Sequence, residues 1–139
     1  MNGLAQLVGD CTETLNVDGT EITFHVPKHS DAIVLHGELA RIFDTSDRLD
    51  KKDEEDNIRL LRKLMLDTSN VFYRLISITT GVTMDVAEMQ LQEMFTNHRH
   101  AIPDVIRISG RLSGLSEQGV DSILNIYKII FVGVDEEAK

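Results

Sequence analysis

The sequence predicts an α+β fold that is mainly α: an N-terminal β-hairpin packed on a compact bundle of four to six helices. Three observations predict it. Residues 12–26 alternate apolar and polar about an Asp18-Gly19 pair, the pattern of a strand that is wet on one side. From residue 31 to residue 134, apolar residues instead recur at spacings of three and four, the period of helices with one buried face. The chain has 139 residues, of which 42% are hydrophobic and 27% charged, which suits one domain with its own core. A single domain is therefore expected over 1–139, with the hairpin at 12–26, the helical body at 31–134 and a frayed tail at 135–139.

Asp18-Gly19 suits a two-residue type I′ turn, in which both central residues take positive φ. Pairing outward from it sets Val17 opposite Thr20, Leu15 opposite Ile22 and Glu13 opposite Phe24. Leu15, Val17, Ile22, Phe24 and Val26 then share one face, with Glu13 as the exception near the open end. Thr12, Thr14, Asn16, Glu21, Thr23 and His25 share the other. Extending the register places Cys11 opposite Val26, facing inward.

Pro27 ends the second strand, and Ser30 is the expected N-cap of a helix beginning at Asp31. Leu35, Leu39, Ile42 and Phe43 form its apolar face. Residues 44–57 read as a charged connector with seven acids. Residues 54–80 are strongly helical, with a stripe of Ile58, Leu61, Met65, Thr68, Phe72, Leu75 and Thr79 that Leu64, Val71 and Ile78 widen. Asp67-Thr68-Ser69-Asn70 leaves open two abutting helices there.

Gly81 suits a helix C′ position and Thr83 an N-cap. Ala87, Leu91, Met94, Phe95 and His98 share the face of the helix that follows. Pro103 suits the first turn of a fourth helix, which buries Ile102, Val105, Ile106 and Leu112. Gly114 and Ser116 mark a stop followed by a cap. The last helix, from about Glu117, sets Val120, Ile123, Leu124, Tyr127, Ile130, Phe131 and Val134 on one side and Ile126, Ile129 and Val132 on others. It is apolar almost all round, so it is expected to be buried within the fold or against another chain. Its β-branched run Tyr127–Val132 also leaves a strand open.

The balance of 14 Lys+Arg against 23 Asp+Glu, a formal charge of −9, disfavours a nucleic-acid binder, which needs a cationic surface. Aromatics are 5% and Trp is absent, so there is little with which to stack bases. The apolar run Ile129–Val132 is too short to span a bilayer, and the first residues lack the basic region of a secretory signal. One cysteine allows no intrachain disulfide. A cytoplasmic protein is expected, with no membrane and no nucleic-acid partner.

No catalytic template fits. There is no Gly-x-Ser-x-Gly, no phosphate-binding Gly-x-x-x-x-Gly-Lys and no His-Glu-x-x-His. His25 and His29 are separated by Pro27, and His98 and His100 lack the spacing of helical ligands, so the histidines read as scattered and no metal is expected. The acids from Asp44 to Asp56 lack the Gly of a calcium loop and have Arg48 where its fifth position falls. Asn97-His98-Arg99-His100 with Arg107 and Arg111 leans basic and suits an acidic partner, or the chain's own acidic segment. An enzyme is not expected, and neither is a cofactor.

The segment Gly19-Thr20-Glu21-Ile22-Thr23-Phe24-His25-Val26-Pro27, the helix Asp31–Phe43 after it, and a helical body containing Thr79-Thr80-Gly81-Val82-Thr83 follow one another in a short acidic chain. This order resembles the tail assembly chaperones of long-tailed bacteriophages, which begin with a small β element ending near a Pro and continue as a compact helical domain. The resemblance spans most of the chain in outline and lies in element order, size and acidity. It implies a non-enzymatic protein of the host bacterial cytoplasm that coats the tape measure protein, recruits tail tube subunits and is absent from the finished virion. It also implies, for some members, oligomers and a longer frameshifted product. It transfers no functional residues, because that family has no catalytic motif to match.

The residues themselves point to protein binding. Met84, Met89 and Met94 sit five apart, so they spread around their helix and at least one must face outward. With Ile126, Ile129 and Phe131 of the last helix they form the expected partner-binding set, and a homo-oligomer through that helix is expected. A structural tail or neck protein and a small helix-turn-helix regulator over residues 84–112 are the alternatives.

Overall fold

A computed structural model describes residues 12–49 and 54–128. Two strands, β1 (Thr12–Val17) and β2 (Thr20–His25), are followed by five α-helices among the described residues: α1 (His29–Arg48), α2 (Glu54–Thr80), α3 (Met84–Asn97), α4 (Ile102–Leu112) and α5 (Glu117–Tyr127). A 3-10 turn, Arg99–Ala101, joins α3 to α4. The fold is the mainly α, hairpin-first architecture that the sequence predicts.

The hairpin has the predicted register, with Val17 opposite Thr20, Leu15 opposite Ile22 and Glu13 opposite Phe24. Asp18 and Gly19 take φ of 51° and 96°, as a type I′ turn requires, and the Gly19 N–H donates to Asn16 Oδ1 at 2.9 Å. Val17 and Phe24 are buried, while Thr14 and Thr23 face solvent as a cross-strand pair. The predicted inward position of Cys11 lies outside the described residues.

A two-stranded sheet is marginal in water, so its apolar face must rest on helices. Here β2 packs on α2 and α4, and β1 packs on α4. The exception on that face, Glu13, ion-pairs with Arg111 near the end of α4. Helices α1 and α2 form a helical hairpin, tied across its middle by Glu38, which accepts from Arg74 and from Asn70 Nδ2 at 3.0 Å. Helix α3 packs on α2, and α5 packs on α4. Gly110 is buried where α5 crosses α4: a Cβ there would lie 3.1 Å from Val120 and 3.3 Å from Leu115.

Three local expectations are corrected. Helix α1 begins at His29, because the Lys28 carbonyl already accepts from the Ala32 N–H at 3.0 Å; Ser30 is thus within the first turn and is not the cap. The charged stretch from residue 44 does not start as a connector. Thr45 is buried and bonds back to the Arg41 carbonyl, while exposed Asp44 pairs with Arg48 at 3.0 Å, so the acids occupy the wet face of a helix running to Arg48. Helix α2 is continuous through Asp67-Thr68-Ser69-Asn70, since these residues lie amid buried Leu64, Val71, Phe72 and Leu75 and tertiary packing overrides their preference for caps.

The other punctuation stands where the sequence places it. Gly81 and Gly114 have φ of 82° and 88°, Thr83 accepts from the Val86 N–H at 3.3 Å, and Ser116 accepts from the Gly119 N–H at 3.0 Å. Pro103 lies in the first turn of α4. The core is formed by Phe24, Leu35, Leu39, Leu75, Ile102 and Ile123 with their neighbours. The frayed tail expected at 135–139 lies outside the described residues.

Hydroxyls inside this core are mostly satisfied within their own helices: Thr79 donates to the Leu75 carbonyl and Ser109 to that of Val105. The Thr68 hydroxyl, fully buried, has no partner among the described residues. A buried hydroxyl left unbonded costs about 1–3 kcal/mol. Thr68→Val keeps the shape and removes that cost. It is expected to raise unfolding stability by about 1 kcal/mol, read by urea denaturation at unchanged m-value.

Candidate functional site

The alternation along β2 aims Ile22 and Phe24 toward the helices, and the chain reverses at Gly81 so that α3 returns alongside the hairpin. Val86, Met89, Gln90 and Glu93 recur at i, i+3, i+4 and i+7 on the α3 face that looks toward β2. Between the two lies an open groove of about 790 Å³. Its floor is apolar, with Phe24, Ile76, Met94 and Val105, and its acidic side chains are Glu21 and Glu93. Two large apolar residues of α3 stand at its mouth, Met89 at 69% exposure and Val86 at 39%.

Strand β2 pairs only with β1 among the described residues. In a two-residue hairpin the pair flanking the turn exchanges hydrogen bonds, and bonded and non-bonded pairs alternate from there. The peptide groups of Glu21, Thr23 and His25 therefore point away from β1. The groove thus has apolar side chains on its floor and an unpaired strand edge along one wall.

A three-residue polar clasp closes one end. His98, which lines the groove, and His100 both reach the Asp18 carboxylate at the hairpin turn, His100 through Nε2 at 3.4 Å and His98 through Nδ1. The hydrogen bond from His98, aided by the charge of both imidazoles, holds the Asp18 carboxyl below the usual carboxylate range. Elsewhere burial, with the nearby Glu88 carboxylate, pushes the Tyr73 phenol up, and burial pushes up that of Tyr127.

Of the six residues predicted to bind a partner, the structure sets Met89 and Met94 in this groove and leaves Met84 outside its lining. Met89 is the most exposed apolar side chain of the groove, Met84 is half-buried, and Met94 is in the floor at 6% exposure. Ile126 is also buried, at 6%, so within this chain it is a core residue and is not offered to a partner. Ile129 and Phe131 lie outside the described residues.

The histidines are less scattered than the sequence suggests: His98 and His100 meet Asp18 across 80 and 82 positions, a proximity that no local pattern encodes. Among the described residues no three His, Cys, Asp or Glu side chains converge as metal ligands. The basic-leaning residues do not form one patch. Arg107 pairs with Asp104 at 3.3 Å and Arg111 with Glu13. A second basic group, Arg59, Arg62 and Lys63, lies exposed on α2 and escapes a reading that follows only the apolar stripe of that helix.

No helix among the described residues is long and apolar enough to cross a membrane. Compared with family models, with curated proteins and with solved structures, the chain matches none of them.

A carboxyl whose folded-state pKa is depressed stabilises the fold above its unfolded value, near 3.9, and loses that contribution as pH falls through the lower folded value. The clasp is therefore intact at neutral pH and opens only as acid carries the pH below the ordinary carboxylate range, through the depressed Asp18 value. Asp18→Asn keeps a residue that tolerates the left-handed turn but removes the charge. It is expected to speed amide exchange in β1 and β2 at pH 7, and the difference from the unaltered protein is expected to shrink as pH falls through the depressed Asp18 value.

Proposed function

We propose that this chain is a non-enzymatic assembly factor of the tail-chaperone kind, which holds an apolar segment of a tape measure protein in the groove between β2 and α3 and recruits tail tube subunits, in the cytoplasm of an infected bacterium. The observation that carries the reading is the exposed pair Met89 and Val86 above an apolar floor. Large apolar side chains left in water along a groove mark a place where another chain belongs.

The chemistry of the groove suits a holdase. Met is unbranched and polarisable, so Met89 adapts to many apolar side chains. The β2 edge offers main-chain hydrogen bonds that do not depend on the partner's sequence. Glu21 and Glu93 favour a segment in which basic residues flank the apolar ones. A formal charge of −9 keeps the loaded complex apart from its copies and from nucleic acid.

The test is co-expression with the tape measure protein of the same genome. The unaltered chain is expected to keep that protein in the soluble fraction and to co-purify with it. Val86→Glu with Met89→Glu is expected to lower the soluble partner at least tenfold while leaving the thermal midpoint of the chain within a few degrees, because both side chains are exposed. Undiminished solubility of the partner with the double variant would refute the reading.

A further inference from the structure

The edge of β2 that faces α3 is not blunted in the usual ways. Strands β1 and β2 pair through six successive positions without a bulge, and β2 holds neither proline nor lysine. Among the described residues no further strand pairs with it. The N–H and C=O groups of Glu21, Thr23 and His25 therefore point toward the groove with their hydrogen-bonding capacity open.

The two ends of the groove differ. Gly81, just before α3, lies against His25 at the far end of β2: a Cβ there would be 3.7 Å from His25 Nε2. Val86, in the first turns of α3, stands at that end. At the other end the contact of Asp18 with His98 joins the hairpin turn to the end of α3. Helix α3 thus runs antiparallel to β2. Glu21 is three residues from Asp18 and Glu93 five from His98, so both acids of the groove stand at the clasped end. Asn97 Nδ2 donates to Glu93 at 2.9 Å and holds its carboxylate there. Exposed Met89 lies between the two ends.

A helix laid in this groove cannot use the strand edge, because its own N–H and C=O groups are already bonded to one another. It would strip water from three residues of β2 and return no hydrogen bond. An extended segment returns those bonds, and its side chains alternate. One set shares the inward face with Ile22 and Phe24 and meets Val86 and Met89; the other shares the outward face with Glu21 and Thr23. Antiparallel pairing is the more stable of the two directions.

We infer that the client enters the groove as a third strand, antiparallel to β2, through a segment that alternates apolar with polar residues and ends in basic ones. Its apolar residues come first, beside Val86 and Met89. Its basic residues come last, one across from Glu21 and the next toward Glu93. This arrangement rests on the groove being the place where the client is held, and adds the client's conformation, direction and order of charge.

The probe is the synthetic peptide acetyl-Ser-Val-Thr-Ile-Thr-Leu-Arg-Lys-amide, titrated into the full-length chain in a calorimeter. Its second Thr falls opposite Thr23 with its N–H toward β2, and the N–H of the Leu that follows points away. Replacing the N–H of that Thr by an ester oxygen is expected to weaken binding about tenfold, and the same change at the Leu by no more than about twofold. The peptide of reversed order is expected to bind about tenfold more weakly than the first. No binding up to about 1 mM, equal losses from the two esters, or undiminished binding of the reversed peptide would overturn the inference. A dimer of the chain in sedimentation that the peptide fails to dissociate would overturn it too, since β2 would then be paired with a second copy. Binding of the peptide as expected, with the tape measure protein not kept soluble, would remove the chaperone reading and keep the strand site. A soluble tape measure protein with no peptide binding would do the reverse.

Discussion

A hairpin of two six-residue strands cannot hold itself together in water, and the arrangement of the helices around it follows from that constraint. Burial of Phe24 on α2 and α4 supplies the non-directional part of its anchorage, about 2–3 kcal/mol for one such side chain. Two polar attachments supply direction. Glu13 is tied to Arg111 at the open end, and Asp18 is tied to His98 and His100 at the turn. The first leads to α4 and the second to the end of α3 and the short turn that precedes α4. The hairpin is thus fixed at its two ends and along one face, while the β2 edge toward α3 is left without a strand partner among the described residues. The groove is a consequence of where the hairpin is fastened.

Helix α2 is the second determinant. At 27 residues it is about 40 Å long, more than the body beside it requires. Its C-terminal half is enclosed by α1, α3, α4 and the hairpin. Along its N-terminal half the same periodicity continues while Ile58, Leu61 and Met65 face water, Ile58 at 57% exposure.

The sequence reveals most of this fold and little of the site, for a physical reason. The hairpin register, the helix starts at Thr83 and Ser116 and the stops at Gly81 and Gly114 depend on residues within four positions of one another, so local pattern suffices. The errors lie where local chemistry competes with packing. Thr68 and Asn70 look like cap residues, yet the apolar residues around them keep α2 unbroken. Asp44 and Asp47 look like a connector, yet buried Thr45 lies between them and holds the helix. Met94 and Met89 are indistinguishable by type, and only the packing of α3 makes one of them floor and the other mouth. The clasp joins residues 80 or more positions apart, and no periodicity reports such a meeting.

The placement of charge joins these features to the proposed role. The groove carries Glu21 and Glu93, whereas the half-covered stripe of α2 is bordered by Arg62. Opposite local fields at two apolar surfaces make them unlike one another despite similar greasiness. A chain with basic residues beside its apolar ones is drawn to the first and repelled from the second, and an acidic apolar segment has the reverse preference. An assembly factor must hold a long apolar client without being captured by copies of itself. Separating its apolar surfaces by the sign of the charge around them disfavours groove-to-groove and stripe-to-stripe pairing of copies, since like fields then face one another. The openness of the groove adds the other requirement: contacts made by a few adaptable side chains and one strand edge bury modest area, so the client can be handed on when a better-fitting subunit arrives.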